Sequence, residues 1–350
     1  MNNTETAGAA TYREITTQTE AWTEAIEVVV HHAGALAALW RGENFAHLIF
    51  TGCGSTYYLA LAAAALFQEL TGRPARGIPA SELVLSPASA YPASGRILLV
   101  AISRSAETTE TIQAVKLFQQ QQRGQVITIS NYPDRPLATM GRVNLAMPTG
   151  QEYSLAQTRS FASMYVATVA LAALLAERAD LSQAIKGLPQ VGQRLIQQYE
   201  TLAKTWGSNL NLDRFYFLGS GLRYGLACEV NLKMKEMTLT HSEPFHFLEF
   251  RHGPISMAGP TAAVIGLLSE QNLAHEAAVL QEAQRLGAQI LTLGEAAADV
   301  VFTSHLPEQV RNALYLPVLQ LMAYYRAVAK GLNPDRPNNL EAVVKLAWGE

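Results

Sequence analysis

The sequence predicts an α/β chain built as two doubly wound parallel-sheet domains in tandem, with helices on both faces of each sheet. The first observation is an internal repeat. His47-Leu-Ile-Phe-Thr-Gly52-Cys-Gly54-Ser-Thr-Tyr57-Tyr-Leu-Ala60 reappears as Arg214-Phe-Tyr-Phe-Leu-Gly219-Ser-Gly221-Leu-Arg-Tyr224-Gly-Leu-Ala227. Four positions match at one offset, since Gly52 to Gly219 and Ala60 to Ala227 are both 167 residues. The second is a set of short apolar runs that recur in both halves: Ile97 to Ile102 with Ala262 to Leu268, and Gln125-Val-Ile-Thr-Ile with Gln289-Ile-Leu-Thr-Leu. The third is that helical patterns separate these runs. Continuous apolar strands alternating with helices are the mark of parallel sheets covered on both faces.

A chain of 350 residues is long enough for about two domains. Residues 1–30 read as a packed helical leader after a frayed start, 31–180 as the first domain, and 207–332 as the second. Between them, 181–206 carries Leu181, Ile185, Leu188, Val191, Leu195 and Ile196 at helical spacings, with Gly187 and Pro189 dividing it into two helices. Residues 333–350 form a tail whose prolines stop any helix, so it is expected to cross the surface in extended form.

Composition narrows the function. Only 16% of residues are charged, against about 25% in typical domains, which implies extensive burial and room for a subunit interface. The formal charge is −3 with no basic block, so nucleic acid is not an expected partner. Cys53 and Cys228 form no C-x-x-C motif and imply no disulfide framework. Met1-Asn-Asn-Thr-Glu lacks the basic region and apolar core of a secretory signal. Met164 to Ala176 is too short for a membrane span of about 20 residues. The expectation is a soluble cytoplasmic protein with no membrane partner.

Chemistry concentrates in two places. Ile97 to Ile102 runs directly into Ser103-Arg104-Ser105-Ala-Glu-Thr108 and then into a helical pattern. A helix N-terminus leaves about four N–H groups unpaired and carries partial positive charge, so a phosphate monoester could be gripped there by these N–H groups, the three hydroxyls and Arg104. An ordinary Ser/Thr N-cap fits the same residues. The matching place in the second half reads Ser269-Glu270-Gln271-Asn272, where Glu270 would repel phosphate, so one phosphate site per chain is expected. Neither Gly-x-Gly completes the G-x-G-x-x-G pattern with its later acidic residue, which argues against a nicotinamide cofactor. No other cofactor is expected.

The second place is Glu229-Val-Asn-Leu-Lys233-Met-Lys-Glu236, where Glu229, Lys233 and Glu236 share one face of a helix. Solvated ion pairs are the usual fate of such a face. Here Val230, Leu232, Met234 and Met237 leave no clean polar stripe, and a carboxylate partly removed from water can act as a general base near neutrality. His241, Glu243, His246, Glu249 and His252 follow, and a histidine nearby could move protons on sugar oxygens. Their spacing does not match H-E-x-x-H and includes Pro244, so no metal is expected.

These motifs, in this order, resemble the tandem sugar isomerase (SIS) family, and within it the isomerase part of glucosamine-6-phosphate synthase. The resemblance covers nearly the whole chain. It begins at Tyr12-Arg-Glu-Ile15 and includes Gly52-Cys-Gly-Ser, Ala80-Ser-Glu-Leu, Ser103 to Thr108 and Glu152-Tyr-Ser-Leu-Ala-Gln-Thr158. It continues through Glu229-x-x-x-Lys233-x-x-Glu236, His252-Gly-Pro and Asn333-Pro-Asp-x-Pro. The resemblance implies that Ser103, Arg104, Ser105 and Thr108 bind the phosphate, and that Ser55, Thr56, Leu155 and Ala156 line the sugar. It further implies that Glu236 moves a proton between C1 and C2, supported by Glu229 and Lys233. His252 would assist ring opening from the neighbouring subunit, so a homodimer with a shared site is implied.

Three departures accompany the resemblance. No N-terminal nucleophilic cysteine or amidotransferase domain is present, so glutamine is not expected as ammonia donor within the chain. The family's tail lysine falls at Ala342, in Asn339-Leu-Glu341-Ala342, with Lys345 three residues late. Ala106 stands where the phosphate loop usually has glycine, and costs about 1–2 kcal/mol if that position is left-handed. Three activities fit: a hexose or hexosamine 6-phosphate isomerase or deaminase, a non-catalytic sugar-phosphate sensor, and an aminotransferase using free or partner-supplied ammonia.

Overall fold

Every strand pair in the computed structural model is parallel, and the two sheets repeat one topology. The structure describes residues 7–341, 343, 344 and 346; Ala342 and Lys345 lie outside the described residues. The chain divides into two compact units that exchange short segments. The first-repeat unit holds Gln18–Gln151 and Arg159–Lys186, and the second-repeat unit holds residues up to Thr17, Glu152–Thr158 and Gly187–Leu340.

In the first-repeat unit the strands are β1 (Phe45–Gly52), β2 (Ala75–Pro79), β3 (Arg96–Ile102), β4 (Gly124–Ser130) and β5 (Val143–Ala146), in the spatial order β2-β1-β3-β4-β5. Its helices are α2 (Gln18–His31), α3 (Ala33–Gly42), α4 (Ser55–Thr71), α5 (Ala80–Leu85), α6 (Pro87–Ala90), α7 (Thr109–Gln120), α8 (Arg159–Leu175) and α9 (Ala179–Ala184). β3 is buried from Ile97 to its end because helices cover both faces of a parallel sheet, which is why it reads as an unbroken apolar run. α8 contains most of the Met164 to Ala176 stretch and is buried nearly throughout. Among the described residues no helix is long and apolar enough to cross a membrane.

In the second-repeat unit the strands are β6 (Arg214–Leu218), β7 (His241–Phe245), β8 (Ala262–Leu267), β9 (Gln289–Gly294) and β10 (Val300–Val301), in the order β7-β6-β8-β9-β10. Substituting β6 for β1 reproduces the first sheet's order. The helices are α1 (Ala9–Thr16), α10 (Leu188–Ser208), α11 (Tyr224–Thr238), α12 (Leu273–Arg285), α13 (Glu308–Arg311) and α14 (Leu316–Ala329). In each sheet the chain winds outward in both directions from its first strand, so the loops after β1 and β3, and after β6 and β8, flank the topological switch point where open α/β sheets bind ligands.

The structure departs from the sequence expectations at the margins. Edge strands β2 and β7 intervene where the pattern runs straight from helix to central strand. Ala-Arg-Gly-Ile-Pro and His-Ser-Glu-Pro-Phe are short and only partly buried, so neither carries an apolar run. The leader is two helices, not one, and residues 1–6 lie outside the described residues. At the break, the Thr16 and Thr17 hydroxyls bond back to the Tyr12 and Arg13 carbonyls, a local alternative to continuing the helix. The tail does not run extended across the surface: Pro334, Asp335 and Pro337 are buried in a turned segment, because the Asp335 carboxylate accepts from the N–H groups of Gly8 (3.1 Å) and Thr11 (2.7 Å) and from the Thr11 hydroxyl (2.7 Å). It caps α1, which has no side-chain cap of its own.

α10 and α14 pack closely because Gly207 lets the two backbones approach. A Cβ at 207 would fall against the Met322 carbonyl oxygen and within 3.0 Å of the Arg326 nitrogen. Gly207→Ala should therefore destabilise by about 1–3 kcal/mol in urea unfolding, although alanine is the better helix former by about 1 kcal/mol. Stability at or above that of the parent would show that the helices can part freely.

Candidate functional site

The first-repeat unit places two glycine- and hydroxyl-bearing loops at its switch point. β1 ends in Gly52-Cys53-Gly54 and α4 begins at once. A Cβ on Gly52 would collide with the Thr56 hydroxyl and lie 2.8 Å from the Ile102 carbonyl, and Gly54 has φ +57°. Only glycine meets both demands without strain. The Thr56 hydroxyl is turned into this loop, 2.9 Å from both the Cys53 N–H and the Cys53 carbonyl. Ser55 and Thr56 are buried. Cys53 is not a reactive thiolate, because burial pushes its thiol up to about 11.

β3 delivers Ser103 to Thr108 beside that loop, and Thr108 is the N-cap residue of α7. Ser103 Oγ and Thr108 Oγ1 lie 3.0 Å apart, so the loop's first and last hydroxyls are joined. Ser103 and Arg104 are buried, whereas Ser105 and Thr108 are partly exposed. The Ser105 hydroxyl accepts from the Glu107 N–H at 3.2 Å. Ala106 has φ +53°, the left-handed conformation in which alanine is strained, and its carbonyl is fixed by the Leu137 N–H at 2.9 Å.

The loop after β8 has the opposite character. Glu276, in the first turn of α12, accepts from the Ser269 N–H at 2.6 Å and from the Ser269 hydroxyl at 3.0 Å. The chain thus supplies its own buried carboxyl group to this loop, with a pKa that burial raises. Glu270 is engaged with Arg311 at 2.8 Å.

In the second-repeat unit α11 brings Glu229, Lys233 and Glu236 together. Lys233 is completely buried, with Nζ 3.3 Å from Glu229 Oε1 and in direct contact with the Glu236 carboxylate. Burial alone would lower the Lys233 pKa, but Glu229, Glu236 and Glu152 outweigh it and hold the value above that of ordinary lysine. Glu229 is buried, whereas 15% of the Glu236 side chain remains exposed. One end of the triad is therefore closed and the other reaches solvent.

His252 is exposed on the turn between Glu249–Arg251 and Pro254–Met257, and it makes no hydrogen bond or ion pair with Glu236 in the described chain. Leu155 and Ala156 lie in the irregular segment 152–158, with Ala156 buried and Leu155 partly so. His246 stacks on Tyr224 with ring centroids 3.8 Å apart, and burial lowers its pKa. His241 and Glu243 are 3.7 Å apart on the exposed face of β7. Among the described residues no group of three or more His, Cys, Asp or Glu side chains is arranged to hold a metal ion.

Two sheets of one topology, each with its loops at the switch point, are the frame on which this chain matches known proteins. Residues 44–174 and 211–327 match the SIS domain family. The chain belongs to that family. It is 28% identical over 308 residues to the glutamine–fructose-6-phosphate aminotransferase [isomerizing] of Sulfolobus acidocaldarius, covering 87% of this chain and 51% of that protein. The chain thus spans about half the length of the curated relatives it matches. Among solved SIS structures, glucosamine-6-phosphate deaminase from Thermotoga maritima superposes with a TM-score of 0.81 at 26% identity, covering 97% of this chain and all of that one. The fold is also that of tagatose-6-phosphate ketose/aldose isomerase from Escherichia coli, with a TM-score of 0.83 at 22% identity over 97% and 98% of the two chains.

Sequence reasoning picked out no role for Glu14, Asp335 or Lys330. Glu14 is buried and accepts from the Tyr153 and Ser154 N–H groups. Lys330 donates to the Thr238 carbonyl at 2.6 Å, at the C-terminus of α11. Glu14 and Asp335 stand inside motifs quoted above, which was the available signal, but their partners lie more than a hundred residues away.

The α11 triad makes a stability prediction. Lys233→Met would strand two carboxylates and should cost about 3–5 kcal/mol at neutral pH. Adding Glu229→Gln should recover part of that loss. Because the folded pKa of Lys233 is raised, its contribution is complete below the ordinary lysine value of about 10.4 and is lost only as pH rises through the folded value. Denaturant titrations at several pH values test this; a deficit independent of both pH and Glu229 would refute the pairing.

Proposed function

We propose that this chain is a sugar-phosphate enzyme that transfers a proton between C1 and C2 of a hexose or hexosamine 6-phosphate, and that it deaminates glucosamine 6-phosphate to fructose 6-phosphate. The observation that carries the reading is the α11 triad: a carboxylate that reaches solvent, Glu236, held by a buried lysine whose other partner is the buried Glu229. Full-length similarity to a structure named as a glucosamine-6-phosphate deaminase supports the substrate class.

In this reading Ser103, Arg104, Ser105 and Thr108 grip the phosphate with the N–H groups of the first turn of α7, and Ser55, Thr56, Leu155 and Ala156 line the sugar. Fixing the phosphate orients the sugar for proton transfer, an effect that reaches roughly 7–11 kcal/mol in favourable intramolecular cases. Glu236 takes the C2 proton of the open-chain aldehyde, giving an enolamine, and returns it to C1. The resulting C2 imine adds water and releases ammonia, leaving the ketose. Lys233 contacts and orients Glu236, and Glu229 balances Lys233. His252 assists ring opening from a second copy of the chain, for which its exposure leaves it available. The reading needs no metal or cofactor, and it places the protein in the cytoplasm as a homodimer.

The aminotransferase name of the curated relatives favours a second reading, in which the same steps run backwards from fructose 6-phosphate and ammonia. Incubation with a panel of hexose and hexosamine 6-phosphates, following ammonia and ketose in both directions, separates the two. Glu236→Gln should keep the fold and phosphate binding while C1/C2 proton exchange with deuterated water falls by about 10²–10⁴-fold. Exchange at the parent rate would remove Glu236 as the base, and binding without exchange in the parent across the whole panel would leave a sugar-phosphate sensor. Ser105→Asp should abolish sugar-phosphate binding by like-charge repulsion; undiminished binding in calorimetry would refute the phosphate assignment.

A further inference from the structure

The segment Glu152–Thr158 is irregular, yet three distant parts of the second-repeat unit fasten it. From α1, the Glu14 carboxylate accepts from the Tyr153 N–H at 2.6 Å, the Ser154 N–H at 3.3 Å and the Ser154 hydroxyl. From the tail, the Asp335 carbonyl accepts from the Leu155 N–H at 3.0 Å. From α14, the Gln320 amide donates to the Thr158 carbonyl at 3.2 Å. The Asp335 carboxylate in turn caps α1 through Gly8 and Thr11. Tail, α1 and segment thus form a closed ring, with one carboxylate at each of two joints. Burying the carboxyl group of Glu14 is costly unless donors surround it, and Tyr153 and Ser154, which supply them, both belong to this one segment.

We propose that Glu14 and Asp335 are positioning residues that set the backbone of Ser154, Leu155 and Ala156 for recognition of the sugar. Neither touches the reacting atoms in the proposed reaction, and the inference rests on the placement of Leu155 and Ala156 in the sugar site. If the carboxylates fix that backbone, weakening them loosens sugar recognition and leaves phosphate binding at Ser103 to Thr108 intact. A merely structural role would move both together, through loss of folded protein.

The test uses the full chain with Glu14→Gln, Asp335→Asn and Ser154→Ala, each checked by thermal unfolding. The readouts are kcat/KM on the sugar identified in the panel and affinity for inorganic phosphate by calorimetry. Deuterium uptake at the Leu155 and Ala156 amides is measured alongside. Expected are a fall in kcat/KM of about 10–100-fold, faster uptake at both amides, and inorganic phosphate affinity within about twofold of the parent. The Glu14→Gln and Ser154→Ala losses should be less than additive in the double variant, since the two residues share a contact, although Ser154→Ala also removes the hydroxyl's 3.1 Å contact with the Ala156 carbonyl. If Glu14→Gln does not fold, Ser154→Ala decides alone. Folded variants that keep kcat/KM overturn the inference, as does a parallel fall in phosphate affinity. A parent chain that neither binds nor converts any sugar in the panel overturns the proposed function and this inference with it, a pattern distinct from an active parent with unaffected variants.

Discussion

A carboxylate taken out of water must be given donors or a counter-charge, and the second-repeat unit is organised around how it meets that demand at Glu14, Glu229, Glu276 and Asp335. Glu229 is met by the ammonium of Lys233 one turn along α11, which commits the lysine to the interior and brings Glu236 onto the same charge. Glu276 is met by the loop after β8 and by Arg223 at 3.8 Å, and so closes that loop with an internal carboxyl group. Glu14 and Asp335 are met by main-chain N–H groups of segments far away in sequence, and so fix an irregular stretch and a helix start that have no regular structure of their own to hold them. Each solution shapes a different part of the unit.

The two sheets are copies in topology and differ in what fills their switch-point loops. Strand order, parallel pairing and the Gly-x-Gly turn are shared, because they follow from apolar runs and from backbone geometry that only glycine meets. The loop after β3 presents partly exposed hydroxyls ahead of a long helix, while the loop after β8 is already satisfied by Glu276. The frame is present twice, and partly exposed hydroxyls stand ahead of the helix only in the first copy.

What the sequence made legible divides along the same line. Periodicity identifies β3, β4, β8 and β9, since a strand covered on both faces must be apolar throughout, and the i, i+4, i+7 spacing gathers the α11 triad before any coordinates. Edge strands β2 and β7 escape it because half-exposed strands carry mixed residues. Ala106 is visible in the sequence as an odd substitution, but its left-handed φ is a property of the folded loop. The roles of Glu14 and Asp335 escape for a different reason: each accepts from main-chain N–H groups and a single hydroxyl, Ser154 or Thr11, more than a hundred residues away, so no local pattern of residues betrays the contact.

The repeat also supplies an internal control for the cost of the triad. Subtracting the offset of 167 places Glu229, Lys233 and Glu236 at Ala62, Leu66 and Glu69 of α4. Ala62 and Leu66 are fully buried there, and Glu69 is exposed. The same helix in the same fold is thus completed with apolar residues, without any buried charge. Replacing a buried ion pair by well-packed apolar side chains is commonly neutral or stabilising by about 1–4 kcal/mol, so folding alone gives α11 no reason to keep an ammonium and a carboxylate in its interior. What the ions provide and the apolar pair cannot is a fixed positive charge in direct contact with Glu236, the carboxylate that reaches solvent. The difference between the two copies is therefore one of charge: α11 keeps a buried ammonium between two carboxylates where α4 is completed as core.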